Sequence, residues 1–207
     1  LSDSLDRDSD GLADMGKDLQ DRARAAMFSL GTTYPELSGY YPQPKGLLFP
    51  AFLSVQNLSG IYSPFTIEAN SNSAMVSYNL PFTICHELSH LRGFMQEEEA
   101  NFIGFLACVN ADDTAFNYSG YLLGWIYATN ELYEVDYDTF EEIYNRLSDN
   151  VKADLSAKSS FWKRYDSKVA EVSGQINDHY LKANGQSDGI KSYDRMVDLM
   201  ITWFRSK

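Results

Sequence analysis

The sequence predicts a single α+β domain that is mainly α-helical, with a small N-terminal sheet and a helical C-terminal part. Apolar residues recur at helical spacing through most of the chain after residue 81, whereas short β-like runs bounded by proline and glycine lie between residues 46 and 78. No internal repeat or change in composition divides the 207 residues, which suffice for one substantial core. We therefore expect one domain over residues 1–207.

The amino-acid composition indicates a globular protein and argues against some classes of partner. The chain is 44% hydrophobic and 14% aromatic, which is typical of a globular domain. Its 29 acidic and 17 basic residues give a net charge of −12, which argues against nucleic acid as a partner. Cys85 and Cys108 lie in apolar segments and are predicted to be buried residues rather than metal ligands or a disulfide. Because no membrane span is evident and the first residue is Leu1, we expect a soluble domain excised from a longer protein.

The first 30 residues predict a flexible lead-in followed by a helix. Residues 1–10 are polar and acidic, whereas apolar residues recur at helical spacing from Leu12 to Leu30. The run Asp6-x-Asp8-x-Asp10-Gly11 resembles the front half of an EF-hand calcium loop, but Lys17 stands where that loop needs a bidentate glutamate. The favoured interpretation is therefore an Asp-capped helix start rather than a calcium site.

The remaining elements follow from apolar patterns and punctuating residues. Residues 46–54 are apolar and interrupted by Pro50, which favours an edge strand, and residues 61–67 and 74–78 are further strand candidates. Beyond the central motif described next, helical periods are predicted over residues 101–109, 117–134, 136–147 and 152–183, with a last helix capped by Ser192. Residues 152–183 form either one long helix or two shorter ones.

The chemistry-bearing stretch is His86-Glu87-x-x-His90, an H-E-x-x-H motif. On a helix the two histidines project from one face, one turn apart, where their neutral imidazoles can bind a single zinc ion. Glu87 lies beside that metal and can take the proton of a metal-activated water. Pro81 suits the first turn of such a helix and Gly93 suits its end. The sequence therefore predicts Zn²⁺ as cofactor and Glu87 as catalytic base.

Zinc needs a third protein ligand, and the acidic run after Gly93 offers candidates. In one family with this motif a third histidine would stand at Gln96, which is a poor zinc ligand. The following Glu97-x-x-Ala100-Asn101 resembles the E-x-x-A-[D/N] element of the gluzincin metallopeptidases. That resemblance implies a zincin-like fold in which Glu97 is the third ligand and Asn101 hydrogen-bonds a ligand histidine. Glu99 is the alternative ligand, although on a regular helix it points about 200° away from Glu97.

Two further parts of a peptidase site are predicted. The segment from Gly60 to Ile67 is expected to bind an extended substrate through main-chain hydrogen bonds, and a purely structural strand remains the alternative. Tyr193 follows a glycine-rich turn at a helix start and is the predicted catalytic donor to the oxyanion. Four other side chains remain alternatives for that role: Tyr118, Tyr121, His179 and Arg195.

Longer stretches extend the resemblance. They are Gly60-Ile-Tyr-Ser-Pro-Phe-Thr, Pro81-Phe-Thr-x-x-His86-Glu-Leu-x-His90, Glu97-x-Glu99-Ala-Asn-Phe102, Tyr118-Ser-Gly-Tyr121 and Ser192-Tyr193. Together they resemble a bacterial family of membrane-anchored zinc peptidases, domain-of-unknown-function family 3810, over most of residues 45–205. The resemblance implies membrane-spanning helices ahead of this region and an extracytoplasmic position for the domain.

From these features we expect a zinc-dependent metallopeptidase of gluzincin type that acts on a peptide or protein substrate. The alternative is a zinc-stabilised extracytoplasmic domain that binds peptides or senses them without cutting. A third hypothesis is a zinc hydrolase that acts on a non-peptide amide, such as a cell-wall fragment. Glu87 favours the enzyme, because a site that only binds does not need a general base.

Overall fold

The computed structural model describes residues 1–47, 49–183 and 195–207, and it confirms the predicted fold class. Helices dominate these residues, and the only sheet among them has three short strands. The helices are α1 (Leu19–Thr33), α2 (Pro50–Val55), α3 (Asn79–Leu91), α4 (Glu97–Val109), α5 (Thr114–Val135), α6 (Tyr137–Asn145), α7 (Asp149–Lys163), α8 (Lys168–Ala183) and α9 (Met196–Arg205). The strands are β1 (Lys45–Gly46), β2 (Gly60–Ser63) and β3 (Glu68–Ser71).

The sheet has the strand order β1-β3-β2. β2 runs antiparallel to β3, with Gly60 opposite Ser71 and Ser63 opposite Glu68, whereas β1 runs parallel to β3. β2 is therefore an edge strand within the described part of the chain. β2 also contacts α3, and α3 packs against β3 as well.

α3 is the central element of the fold, because α1, α4, α5 and the sheet all pack against it. Its apolar side chains are almost fully buried, with Ile84, Cys85 and Leu88 at 0–1% exposure. α4 approaches it closely at Gly104, where an added Cβ would lie only 3.3 Å from the main-chain nitrogen of His86. This close packing fixes the position of α4 relative to the motif on α3.

Two of the predicted strands are wrong. Of the described residues between 46 and 54 only Gly46 belongs to a strand, and Pro50 is the first residue of α2, because proline is as well suited to the first helical position as to a sheet edge. Residues 74–78 form a turn that leads into α3, while β3 lies earlier, at Glu68–Ser71. The candidate at residues 61–67 corresponds to β2, which ends at Ser63 in a turn.

Helix limits also differ from the prediction at the N-terminus. α1 begins at Leu19 rather than Leu12. The apolar residues Ala13 and Met15 before it belong to a loop, and their side chains are buried in the core. Residues 152–183 form two helices, α7 and α8. The predicted cap Ser192 lies outside the described residues. No helix within the described ranges is long and apolar enough to span a membrane.

The N-terminal loop is tied to the rest of the domain. Arg7, in the predicted lead-in, donates two hydrogen bonds to the Asp154 carboxylate of α7. Asp8 Oδ1 accepts hydrogen bonds from the main-chain N–H groups of Asp10 and Leu12, so this part of the EF-hand-like run caps its own loop. The aspartates of this run form no metal-binding group in the described part of the structure.

Candidate metal centre

α3 and α4 bring His86, His90 and Glu97 together at one end of the central helix. The ligand atoms of these three side chains all lie within 4.8 Å of one another, and they form the only group of this kind among the described residues that could hold a metal ion. Their side chains are nearly buried, with 12%, 8% and 15% exposure respectively. Glu99, the alternative third ligand, is exposed on α4 and lies outside this group.

The local sequence explains how Glu97 reaches the two histidines. Gly93 adopts a left-handed conformation with φ of +93°, and its N–H bonds the carbonyl of His90, which ends α3 and reverses the chain. α4 then starts at Glu97, so the carboxylate stands in its first turn, where the partial positive charge of the helix stabilises an anion. The i, i+4 spacing of His86 and His90 places them one above the other on α3.

The spacing of the three ligand atoms fits zinc. His86 Nε2 lies 3.0 Å from His90 Nε2 and 3.3 Å from Glu97 Oε2, and His90 Nε2 lies 3.7 Å from Glu97 Oε1. Two ligands about 2.05 Å from a tetrahedral ion are about 3.3 Å apart, so the observed separations surround that value. Two imidazoles and one carboxylate are also a donor set typical of catalytic zinc.

The second nitrogen of each imidazole has a different environment. His90 Nδ1 lies 2.8 Å from the carbonyl oxygen of Phe94, so Nδ1–H donates and Nε2 keeps its lone pair for a metal. His86 Nδ1 is buried without a hydrogen-bond partner in the described structure, and so is Nδ2 of Asn101. Asn101 nevertheless interacts with His86 and contributes to raising the pKa of that histidine. The predicted hydrogen bond from Asn101 to a ligand histidine stays a prediction.

Glu87 lies next to the three-residue group without belonging to it. The residue is only 4% exposed, and its Oε2 is buried with no hydrogen-bond partner among the described residues. Burial raises the pKa of Glu87 to about 8, with His86 opposing the shift and Glu97 adding to it. A buried carboxylate with one unused oxygen beside three convergent ligand atoms is an arrangement that a metal ion and a water molecule would complete.

The two histidines differ in pKa. Burial lowers the pKa of His86, but its hydrogen bond to Glu97 and the charges of Glu97 and Glu87 outweigh burial and raise it overall. Burial, together with the charge of His86, lowers the pKa of His90 to about 4. The Glu97 carboxylate, which contacts both histidines, thus supplies negative potential where the three ligand atoms converge.

The structure places the candidate oxyanion donors in different regions. Tyr193 lies outside the described residues. Tyr118 is buried and bonds Asp154 instead, while Tyr121 and His179 are exposed on α5 and α8. Arg195 approaches α4, where its Nη1 lies 3.8 Å from Glu98 Oε1.

The sequence did not single out two residues of β2 that lie beside the candidate metal centre. The Tyr62 ring on β2 lies 6.2 Å from the His90 ring, and Gly60 on the same strand abuts Glu87. The strand prediction contained the signal, because residues two apart in a strand face the same side. The sequence did not indicate that α3 is the helix on that side of the strand.

Comparison with known proteins identifies the family. A family model described as a protein of unknown function, DUF3810, matches residues 1–201. The chain belongs to the DUF3810 family. No curated protein and no solved structure matches this DUF3810 chain. Membership therefore supports the resemblance noted in the sequence, while the family description assigns no activity.

Proposed function

We propose that this DUF3810 domain is a zinc-dependent metallopeptidase of gluzincin type. The observation that carries the proposal is the buried group of His86, His90 and Glu97, with ligand atoms at the spacing of a tetrahedral ion, beside a buried carboxylate that is not one of the ligands. The first three side chains would hold the zinc, and Glu87 would act on the water that attacks the substrate. Asn101 would support the His86 ligand.

Each group has a defined task in hydrolysis. Bound zinc supplies Lewis-acid chemistry, since it acidifies water and polarises a carbonyl. Glu87 accepts a proton as water adds to the scissile carbonyl carbon, and it then returns that proton to the leaving nitrogen as the C–N bond breaks. One peptide and one water thus become a carboxylic acid and an amine. Tyr193 remains our proposed donor to the oxyanion.

The edge of β2 supports a peptide substrate. Asn72 N–H donates to the carbonyl of Ser59 at 2.8 Å, which makes Ser59 and Asn72 a hydrogen-bonded pair of the antiparallel ladder. Because such pairs alternate along a ladder, Ile61 and Ser63 bond β3 next, while the main-chain groups of Gly60 and Tyr62 face the open edge. An extended peptide can pair with those groups beside Glu87.

The placement of the domain in the cell is part of the same proposal. Resemblance to a membrane-anchored family supports an extracytoplasmic domain that is held to the membrane by a segment outside this chain. The non-catalytic alternative, a zinc-stabilised domain that binds or senses peptides, differs from the peptidase only in what Glu87 does. The decisive experiment therefore centres on Glu87.

The test combines metal identification with hydrolysis. We expect anomalous diffraction at the zinc edge to show one peak ligated by His86, His90 and Glu97, and zinc-loaded protein to cleave members of a peptide library. Glu87→Gln should keep the zinc and lower kcat/KM by about 10²–10⁴-fold, because it removes general acid–base catalysis. Glu99→Gln, at an exposed position of α4, should change neither.

Three outcomes would contradict the proposal in different ways. A protein that binds no zinc would exclude a metallopeptidase altogether. Zinc-loaded protein that cleaves cell-wall fragments but no peptide would indicate the non-peptide hydrolase. Zinc-loaded protein whose measurable functions all survive Glu87→Gln would indicate the binding or sensory domain.

A further inference from the structure

The first residue of β2 lies directly against the catalytic carboxylate candidate. A Cβ added at Gly60 would overlap Glu87 Oε1 and would lie 2.8 Å from Glu87 Cγ, which is closer than side-chain atoms can approach. It would also lie 2.9 Å from the carbonyl oxygen of Asn70 on β3. Gly60 is not among the residues of positive φ, so the close approach, rather than backbone conformation, is what demands glycine here.

The strand cannot easily move away from Glu87. Asn72, at the end of β3, is fully buried, and its side chain donates to Ser54 Oγ at 2.9 Å and to the carbonyl of Leu58 at 3.1 Å. Its main-chain N–H bonds Ser59. These three bonds hold the chain on the N-terminal side of Gly60, and the ladder to β3 holds the residues after it.

We propose that Gly60 is a positioning residue for Glu87. The space left by its missing side chain receives the Glu87 carboxylate, so that the rigid sheet sets where this group stands relative to His86, His90 and Glu97. This role rests on the proposed function and adds to it that β2 determines the position of Glu87. The strand whose edge would bind the substrate is the same strand that limits the position of the general base.

The link predicts a specific defect. With alanine at residue 60, either the Glu87 side chain or the strand must shift by enough to remove the overlap. A shift of about 1 Å in a catalytic group can lower the rate about 100-fold. The three atoms nearest to a Cβ at residue 60 belong to Glu87 and Asn70 rather than to the proposed zinc ligands, and alanine retains the main-chain groups that face the edge. We therefore expect Gly60→Ala to lower kcat about 100-fold while KM and zinc stoichiometry stay unchanged.

A thermal stability cycle on zinc-free protein tests the contact without using activity. We expect Gly60→Ala to lower Tm by at least about 4 °C, which is the shift for roughly 1–2 kcal/mol in a domain of this size. The loss should be clearly smaller in a Glu87→Ala background, because the overlapping Oε1 and Cγ are then absent. Part of the loss should persist, since the contact with the Asn70 carbonyl remains.

Gly46→Ala is the matched control. It lies on β1 of the same sheet, and among the described residues a Cβ there would come within 4 Å of Ser73 alone, at an ordinary 3.5 Å. Its Tm shift should be small and equal in both backgrounds, and kcat should not change. If Gly60→Ala alone does not fold, recovery of folded protein in Gly60→Ala/Glu87→Ala gives the same evidence for the contact.

The two ideas fail in distinguishable ways. A Tm loss that is equal with and without Glu87 would show that Gly60 acts only through β3 and would overturn the positioning role. So would an active wild type whose Gly60→Ala variant keeps its kcat. Zinc-loaded wild type that hydrolyses nothing would overturn the proposed function and the catalytic role of Gly60 with it, although the stability cycle would still report the contact itself.

Discussion

Two buried polar clusters differ in whether hydrogen-bond donors meet their carboxylate oxygens. Asp154 is 1% exposed, yet both of its carboxylate oxygens accept hydrogen bonds, from Arg7, the main-chain N–H of Ala13 and Tyr118. At the candidate metal centre, by contrast, Oε2 of Glu87 and Nδ1 of His86 have no partner in the described structure.

The difference is the one expected between a structural network and a candidate ligand site. Burying a carboxylate is unfavourable unless donors replace the water that it loses. Around Asp154 the donors come from the N-terminal loop and from α5, so the network joins distant parts of the chain to α7. At the candidate metal centre the Glu97 carboxylate lies beside two imidazoles, and a cation bound there would interact with that carboxylate and with the Nε2 atoms of both histidines.

Removal of the Asp154 carboxylate gives the largest effect on stability expected from this comparison. Asp154→Ala leaves the partly buried guanidinium of Arg7 and the hydroxyl of Tyr118 without their shared acceptor. We expect it to lower the free energy of unfolding by about 3–5 kcal/mol, measured by urea denaturation. The change should not affect zinc binding in the fraction that remains folded.

Asp10→Ala provides the control, because Asp10 is an exposed aspartate in the same N-terminal loop. Its effect should be within about 0.5 kcal/mol. Equal losses in the two variants would mean that the buried network contributes no more than any surface aspartate, and the contrast between the clusters would disappear.

Zinc itself should produce the next largest change. At a free zinc concentration 100 times the Kd, binding to the native state adds about 2.7 kcal/mol to stability. For a domain of this size that corresponds to a Tm increase of about 5–10 °C, measurable by calorimetry with and without chelator. Asp154, whose oxygens are already satisfied, should contribute nothing to this increase.

Glutamate variants of α4 sharpen the same measurement. Glu97→Ala should abolish most of the zinc-dependent increase in Tm. Glu99→Ala should retain that increase, because Glu99 is exposed and lies outside the group of proposed ligands. The reverse result would identify Glu99 as the third ligand and would contradict the arrangement of α3 and α4 described above.

The grouping of residues at the candidate metal centre was largely predictable from sequence because most of its geometry is local. The i, i+4 spacing of His86 and His90 on one helix fixes their relation, and Gly93 indicates where that helix ends. The selection of Glu97 needed more, since it depends on the angle between α3 and α4. A resemblance to a known element supplied that choice, and the structure brings Glu97 to the histidines.

The Asp154 network and the Gly60 contact could not be predicted in the same way. Asp154 bonds residues 147, 141 and 36 positions away, and no pattern within one element indicates such a partner. Gly60 belongs to a strand that was predicted, but its closeness to Glu87 depends on how the sheet packs on α3. The two wrong strands show the same limit, because short apolar runs near proline suit strands, turns and helix starts alike.

Asp113, like Asp154, is a carboxylate whose two oxygens both accept hydrogen bonds, and we expect its effect on stability to be smaller and to depend on pH. Its carboxylate accepts two hydrogen bonds from Arg22, both 2.7 Å long, and it caps α5 through the N–H groups of Ala115 and Phe116. Burial raises the pKa of Asp113, but the bonds from Arg22 and from the Phe116 N–H outweigh burial, so the pKa is lowered overall. A lowered pKa means that the charged form stabilises the fold.

The sign of the pH dependence follows from that direction. The stabilisation is present above the pKa of an unfolded aspartate, about 3.9, and is lost as pH falls through the lower pKa of the folded protein. We expect Asp113→Asn to lower the free energy of unfolding by about 1 kcal/mol at pH 7 and by less near pH 3, because the wild-type stabilisation decreases as pH falls below about 3.9. Urea denaturation at the two pH values measures this, with exposed Asp112→Asn as the neighbouring control. A difference that persists undiminished at pH 3 would show that the contribution of Asp113 does not depend on its charge.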